Sequence, residues 1–76
     1  MKKLERYKYT ILNHGLKPWD LEKVGDVLHS TSPQDAIRRV DRVYRIASKT
    51  DMKLSYYARQ FLEAVAISAD ADIGNV

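Results

Sequence analysis

Apolar residues recur every three or four positions along most of the chain, which is the spacing of amphipathic helices. Four such stretches cover residues 3–13, 18–29, 33–49 and the segment from residue 54 onward, separated by polar or glycine-containing connections. No alternating strand pattern competes with them. The sequence therefore predicts an all-α fold, arranged as a small compact four-helix bundle.

The apolar face of each stretch predicts a share of the core. The expected core residues are Leu4, Tyr7, Ile11, Leu21, Val24, Leu28, Ile37, Val40, Tyr44, Leu54, Tyr57, Phe61 and Val65. Trp19 lies roughly opposite the apolar face at its helix start, so it either folds back over the Gly15-Leu16 connection or stays partly exposed. After Ser68 the pattern is lost and acidic residues and glycine appear, so we expect one helical domain over 1–69 and a frayed tail over 70–76.

The third stretch has the clearest start. Ser32 can cap the helix, Pro33 suits its first position, and Asp35 occupies the third position of a box-like cap. At about 100° per residue, four cations fall on the side opposite the apolar face. We call this set the basic ridge, and it consists of Arg38, Arg42, Arg45 and Lys49.

Composition and charge exclude several kinds of site and partner. The chain has 76 residues, no cysteine and a net charge of +3, which excludes disulfides, thiolate zinc sites and cysteine nucleophiles. The net charge is +2 over residues 1–30, +3 over 31–53 and −2 over 54–76. No apolar run is long enough to cross a bilayer, so we expect a soluble cytoplasmic monomer with no membrane partner.

Candidate catalytic and metal-binding residues are few. His14 and His29 are the only histidines, and neither has a second ligand at a favoured helical spacing. The serines lie in caps and helix ends without a catalytic motif, and Glu22 and Asp26 have the spacing of a surface carboxylate pair. The glycines are isolated from one another, so they form no phosphate-binding loop. We therefore expect no enzyme activity, no cofactor and no metal.

The basic ridge has two interpretations. Arginine forks suit phosphate geometry, and the spacing of about 5 to 6 Å between neighbouring ridge positions is comparable to a phosphate repeat. On this interpretation the protein is a nucleic-acid-binding module, and further contacts come from Lys2, Lys3 and Arg6, with Tyr56 stacking on a base. Alternatively, the ridge is a solvated face that Asp35 and Asp41 partly neutralise.

Two other binding modes follow from the same residues. The order of a short helix, a turn and a basic helix resembles a helix-turn-helix, but the connection from His29 to Ser32 is somewhat long. Asp35 would also repel the DNA backbone, which disfavours reading of base sequence. The remaining alternative is a protein-binding adaptor or inhibitor, in which the ridge or exposed tyrosines engage an acidic partner protein.

The chain as a whole, from Met1-Lys2-Lys3-Leu4-Glu5-Arg6-Tyr7-Lys8-Tyr9 to Ile73-Gly74-Asn75-Val76, resembles the small proteins encoded beside the UvsW helicase gene of T4-type phages. That resemblance implies a bundle similar to the HRDC-type accessory modules of RecQ helicases, which bind single-stranded or branched DNA through basic surfaces. It also implies a role beside a helicase or recombination protein in recombination, repair or replication, in the host cytoplasm. The glycine-containing turn of many HRDC sequences is not recognisable here, so no binding residue is transferred from that family.

Overall fold

The computed structural model describes residues 15–74, and this part of the chain contains helices and no strand. Its elements are α1 (Pro18–Val24), a 3-10 helix (Gly25–His29), α2 (Pro33–Thr50) and α3 (Tyr56–Gly74). The predicted all-α class is confirmed over these residues. The helix predicted over 3–13 lies outside them, so the four-helix bundle stays a prediction.

The second predicted helix changes its winding partway along. The chain is α-helical only as far as Val24, and then tightens into the 3-10 helix that ends at His29. A 3-10 helix has three residues per turn, so Val24, Val27 and Ser30 all point inward and are buried. Leu28, which a continuous α-helix would place in the core, is therefore only half-buried.

The predicted start and end of α2 are confirmed. The Ser32 hydroxyl accepts a hydrogen bond from the Asp35 amide at 3.0 Å, and Pro33 occupies the first position of the helix. At the other end Asp51 adopts a left-handed conformation, with a φ of 56°. Its amide hydrogen-bonds the Ala47 carbonyl, so the polar break after Lys49 ends the helix.

Helix α3 is longer than the sequence predicts. It begins after Ser55, whose hydroxyl accepts a hydrogen bond from the Ala58 amide at 3.0 Å, and it continues to Gly74. The sequence predicts a frayed tail over 70–76, whereas the structure has residues 70–74 in the helix, and the last two residues lie outside the described part. Alanine explains the difference, because it has the highest helix propensity and Ala69 is fully buried late in the helix.

The core lies mainly between α2 and α3 and is built largely from small residues. Its buried apolar side chains are Val24, Val27, Ala36, Val40, Val43, Ala47, Ala58, Phe61, Leu62, Val65 and Ala69. Leu21, Leu28, Ile37 and Leu54, all predicted for the core, are half-buried. The other predicted core residues Leu4, Tyr7 and Ile11 lie outside the described residues.

The prediction that two tyrosines lie in the core is wrong, because Tyr44 is 38% exposed and Tyr57 is 51% exposed. The buried face of α2 is centred on alanine and valine rather than on Tyr44, and α3 buries Ala58 beside Tyr57. Small residues at the contact let two helices approach closely, which leaves large rings at the edge of the interface. Within residues 15–74, none of the helices combines the length and the apolar character that crossing a bilayer requires.

Candidate nucleic-acid interface

The basic ridge lies on the side of α2 that faces away from the core. The side chains of Arg38, Arg42 and Arg45 are 74%, 60% and 65% exposed, and Lys49 is exposed as well. Because the residues recur every three or four positions, the four cations share one line along the helix. The opposite face of α2 is buried in the core, so the ridge has a fixed orientation.

Carboxylates neutralise part of the ridge. The Arg45 guanidinium binds Asp41 at 2.6 Å, and Arg42 lies 4.0 Å from a carboxylate oxygen of Asp26. Lys49 forms no ion pair with any residue in the described part of the chain. The C-terminal half of the ridge therefore has exposed, weakly held ion pairs and one cation without an acidic partner among residues 15–74.

The N-terminal half of the ridge is different, because Asp35 is buried there. Its carboxylate accepts hydrogen bonds from Arg38, from the Thr31 amide at 3.1 Å and from Nε of Arg39 at 2.9 Å. The hydrogen bond from Arg38, together with those from Thr31 and Arg39, holds the pKa of Asp35 well below its ordinary value. Arg38 is therefore tied to a carboxylate that cannot move away into solvent.

Arg39 was not among the sequence candidates. Its Nη1 binds the Asp26 carboxylate at 2.8 Å and the Asp26 carbonyl at 3.2 Å, while its Nε binds Asp35. The side chain is only 25% exposed, so it holds the 3-10 helix against α2 rather than facing solvent. In the sequence, Arg39 differs from the ridge arginines only in its direction, which is rotated by about 100° around the helix axis from that of Arg38.

Tyr56, the candidate for stacking, is 70% exposed at the start of α3. Its ring meets that of Tyr57 edge to face, with the ring centroids 5.7 Å apart. Of the two positions expected for Trp19, the exposed one is observed, because its side chain is 59% exposed. The other predicted contacts, Lys2, Lys3 and Arg6, lie outside the described residues.

Tyr44 lies at an open groove between α2 and α3 with a volume of about 490 Å³. The groove is lined by Tyr44, Ala47, Ser48, Met52, Leu54, Arg59 and Glu63. Desolvation raises the pKa of Tyr44, and the charge of Glu63 raises it further while that of Arg59 opposes the change. The hydroxyl therefore stays protonated at neutral pH.

The remaining polar candidates have structural contacts. The hydroxyls of Ser32 and Ser55 accept amide hydrogen bonds at helix starts, and that of Ser30 donates to the Val27 carbonyl, which confirms the assignment of these serines to caps and helix ends. His29 is exposed. Within residues 15–74, no three His, Cys, Asp or Glu side chains form a group that could hold a metal ion.

Comparisons with protein-family models, with curated proteins and with solved structures found no significant match to the chain. Function must therefore be inferred from the basic ridge and the exposed aromatic side chains themselves.

Proposed function

We propose that the protein is a small non-enzymatic module that binds nucleic acid through phosphate contacts and with little dependence on base sequence. The observation that supports this most is the line of three exposed arginines on α2, whose opposite face is fixed in the core. Each guanidinium has five N–H donors in a planar fork. An arginine that binds one carboxylate oxygen therefore retains donors for a phosphate.

The paired carboxylates determine which ridge residues bind phosphate best. Exposed ion pairs such as Arg45 with Asp41 contribute at most about 1 kcal/mol, so a phosphate can replace the carboxylate at little cost. Lys49 has no such partner among the described residues, and Arg42 is 4.0 Å from its own. Arg42, Arg45 and Lys49 are therefore the main contacts, and Arg38 contributes less because buried Asp35 holds it.

Reading of base sequence remains disfavoured, although for a different reason than the sequence suggests. Asp35 is buried between two guanidiniums, so its charge no longer repels a DNA backbone strongly. However, the exposed side chains in the first two turns of α2 are only Gln34 and Arg38. Arg38 is tied to Asp35, which leaves one free polar side chain for contact with base edges.

A partner protein would strengthen such binding. The whole-chain resemblance to HRDC-type modules favours an accessory role beside a helicase, in recombination, repair or replication. Linking a weak phosphate contact to a second binding site increases the effective concentration of nucleic acid at the ridge, and so increases avidity without a new contact. Single-stranded or branched DNA is the ligand expected for this role.

The test is a titration of labelled single-stranded and forked DNA at two salt concentrations. The wild-type protein should bind weakly at low salt and more weakly at high salt, because counterion release provides most of the affinity. A triple variant with Arg38→Glu, Arg42→Glu and Arg45→Glu should lose binding at both concentrations.

A charge-matched pair separates the ridge from net charge. Arg42→Gln should weaken binding severalfold, whereas Arg59→Gln, which removes the same charge from α3, should have a smaller effect. Equal affinities of the triple variant and the wild-type protein would contradict the ridge as the contact surface.

A protein-binding adaptor is the second candidate function, and one observation favours it. Ile46 is 47% exposed on α2 beside the ridge, so that face presents an apolar side chain among cations. Such a mixture suits an acidic protein with an apolar spot. Absence of DNA binding at low salt would favour this function. Ile46→Ser should then weaken binding of the acidic partner protein.

A further inference from the structure

A second surface lies where α1 meets the start of α3. The hydroxyl of Ser55 donates to the buried carboxylate of Asp20 at 2.8 Å, and this contact joins the two helices. Trp19 precedes Asp20 in the chain, and Tyr56 follows Ser55. The hydrogen bond therefore brings exposed aromatic residues of both helices to the same end of the molecule.

The rings of Tyr56 and Tyr57 at this end have contacts that restrict them. A Cβ atom on Gly15 would lie 3.6 Å from the Tyr57 ring, so the backbone at Gly15 supports one side of that ring. Tyr56 meets Tyr57 edge to face and remains 70% exposed. Tyr56 and Trp19 thus both present exposed rings, and the contact with Tyr57 restricts the Tyr56 ring, which lowers the entropy cost of stacking a flat ligand on it.

Three exposed lysines, Lys17, Lys23 and Lys53, lie within four residues of Trp19 or Tyr56 in the sequence. The ammonium of Lys23 donates to the carbonyl of Lys53 at 3.1 Å, and Lys17 precedes α1 directly. Over residues 15–74, none of the three forms an ion pair, in contrast to the arginines of the ridge. The carboxylate of Asp20 is buried and already accepts two hydrogen bonds, whereas Glu22, next to Lys23 in the sequence, and Asp51, two residues before Lys53, are exposed.

We propose that this surface, formed by Trp19, Tyr56 and Tyr57 with Lys17, Lys23 and Lys53, binds unpaired bases of a single strand by stacking. The inference rests on the proposed function for its ligand class and adds a preference for single strands over duplex. Aromatic rings stack on any base because every base has a π-face, and lysines attract the adjoining phosphates. In a duplex the bases already stack on each other, so only a single strand can use the rings.

Trp19 is the only tryptophan in the chain, so its fluorescence reports directly on this surface. An oligothymidylate of about twelve nucleotides should quench that emission as it binds. An abasic strand of equal length, which has the phosphates without the bases, should bind more weakly and leave the emission unchanged. A duplex of equal length should also leave the emission unchanged.

Variants test the same surface without relying on emission. Tyr56→Leu should lower the affinity for oligothymidylate about tenfold and leave that for the abasic strand unchanged. Tyr56→Phe keeps the ring and should bind as the wild-type protein does. Ile67→Ala is the control, because Ile67 is an equally exposed apolar side chain elsewhere on α3.

The outcomes separate the two proposals. Equal affinity for oligothymidylate and the abasic strand, with unchanged emission, would overturn the stacking surface and leave the ridge intact. Quenching that persists in the triple glutamate variant of the ridge with the affinity of the wild-type protein would support the stacking surface and contradict the ridge. Absence of binding to every probe at low salt would overturn both.

Discussion

At the residue scale, Asp35 connects two parts of the molecule. Its carboxylate binds Arg39, and the same guanidinium binds Asp26 of the 3-10 helix. Arg38 binds the carboxylate from the solvent side. The first turn of α2 and the 3-10 helix are therefore held together by charge rather than by apolar contact alone.

Asp35→Asn should destabilise the fold at neutral pH and make the free energy of unfolding less dependent on pH in the acid range. The pKa of Asp35 in the folded protein lies below its ordinary value of 3.8, so the ionised group stabilises the fold fully above about pH 4. That stabilisation is lost as the pH falls below this value. Urea unfolding should therefore show the variant and the wild-type protein differing most near neutral pH and converging toward acid.

Asp41→Asn is the matched control for that experiment, because Asp41 forms an exposed pair with Arg45. Its effect on the free energy of unfolding should stay below about 1 kcal/mol at every pH. A constant difference between Asp35→Asn and the wild-type protein across the acid range would contradict the assigned pKa direction.

Local spacing predicts residues whose partners lie within one helical turn. The cap formed by Ser32 and the amide of Asp35 is of this kind, with a separation of three residues. The pair of Arg39 with Asp26 spans thirteen residues and two elements, so periodicity could not reveal it. Local spacing instead pairs Asp26 with Glu22 on the surface of the second predicted helix.

At the element scale, helix starts and stops were predictable and helix winding was not. Ser32, Pro33 and the polar break at Asp51 are local signals, and each acts where the sequence places it. The change to a 3-10 helix after Val24 has no comparable signal. Nor does the late part of α3, where alanine maintains the helix after the large apolar residues end.

Ser55→Ala should destabilise the protein by about 2 kcal/mol. The substitution removes the cap of α3 and also the hydroxyl that donates to the buried carboxylate of Asp20. Ser48→Ala is the control, because Ser48 is exposed within α2 and should tolerate the change within about 0.5 kcal/mol. Thermal or urea unfolding measures both, and equal effects would contradict the role given to Ser55.

At the scale of the whole molecule, the all-α class was predictable because helical periodicity is a property of short segments. The packing of α2 on α3 was not, because it depends on which small residues meet across the interface. Tyr44 and Tyr57 have the right spacing for the core, yet both are at its edge. Because their spacing assigns both rings to the core, the sequence predicts neither the groove beside Tyr44 nor the aromatic surface beside Tyr57.

Removing one exposed carboxylate should raise the affinity for DNA by an amount that depends on its distance from the ridge. Asp41→Asn frees Arg45 and should raise the affinity for single-stranded DNA about threefold. Asp70→Asn removes the same charge from an exposed position near the end of α3, so its gain should be smaller. Equal gains in a titration at low salt would mean that net charge, rather than the ridge, determines the affinity.

The carboxylates along α2 act as counter-ions that belong to the protein itself. Three carboxylates, those of Asp26, Asp35 and Asp41, pair with four of the five cations of α2, and Lys49 is the fifth, so an excess of two positive charges remains among these groups. A nucleic acid on the ridge thus meets a net field of about two charges rather than the full four of the ridge cations. For a single strand, this excess corresponds to a slope of about −1.4 in a plot of log affinity against log salt concentration. The ridge should therefore release its strand readily.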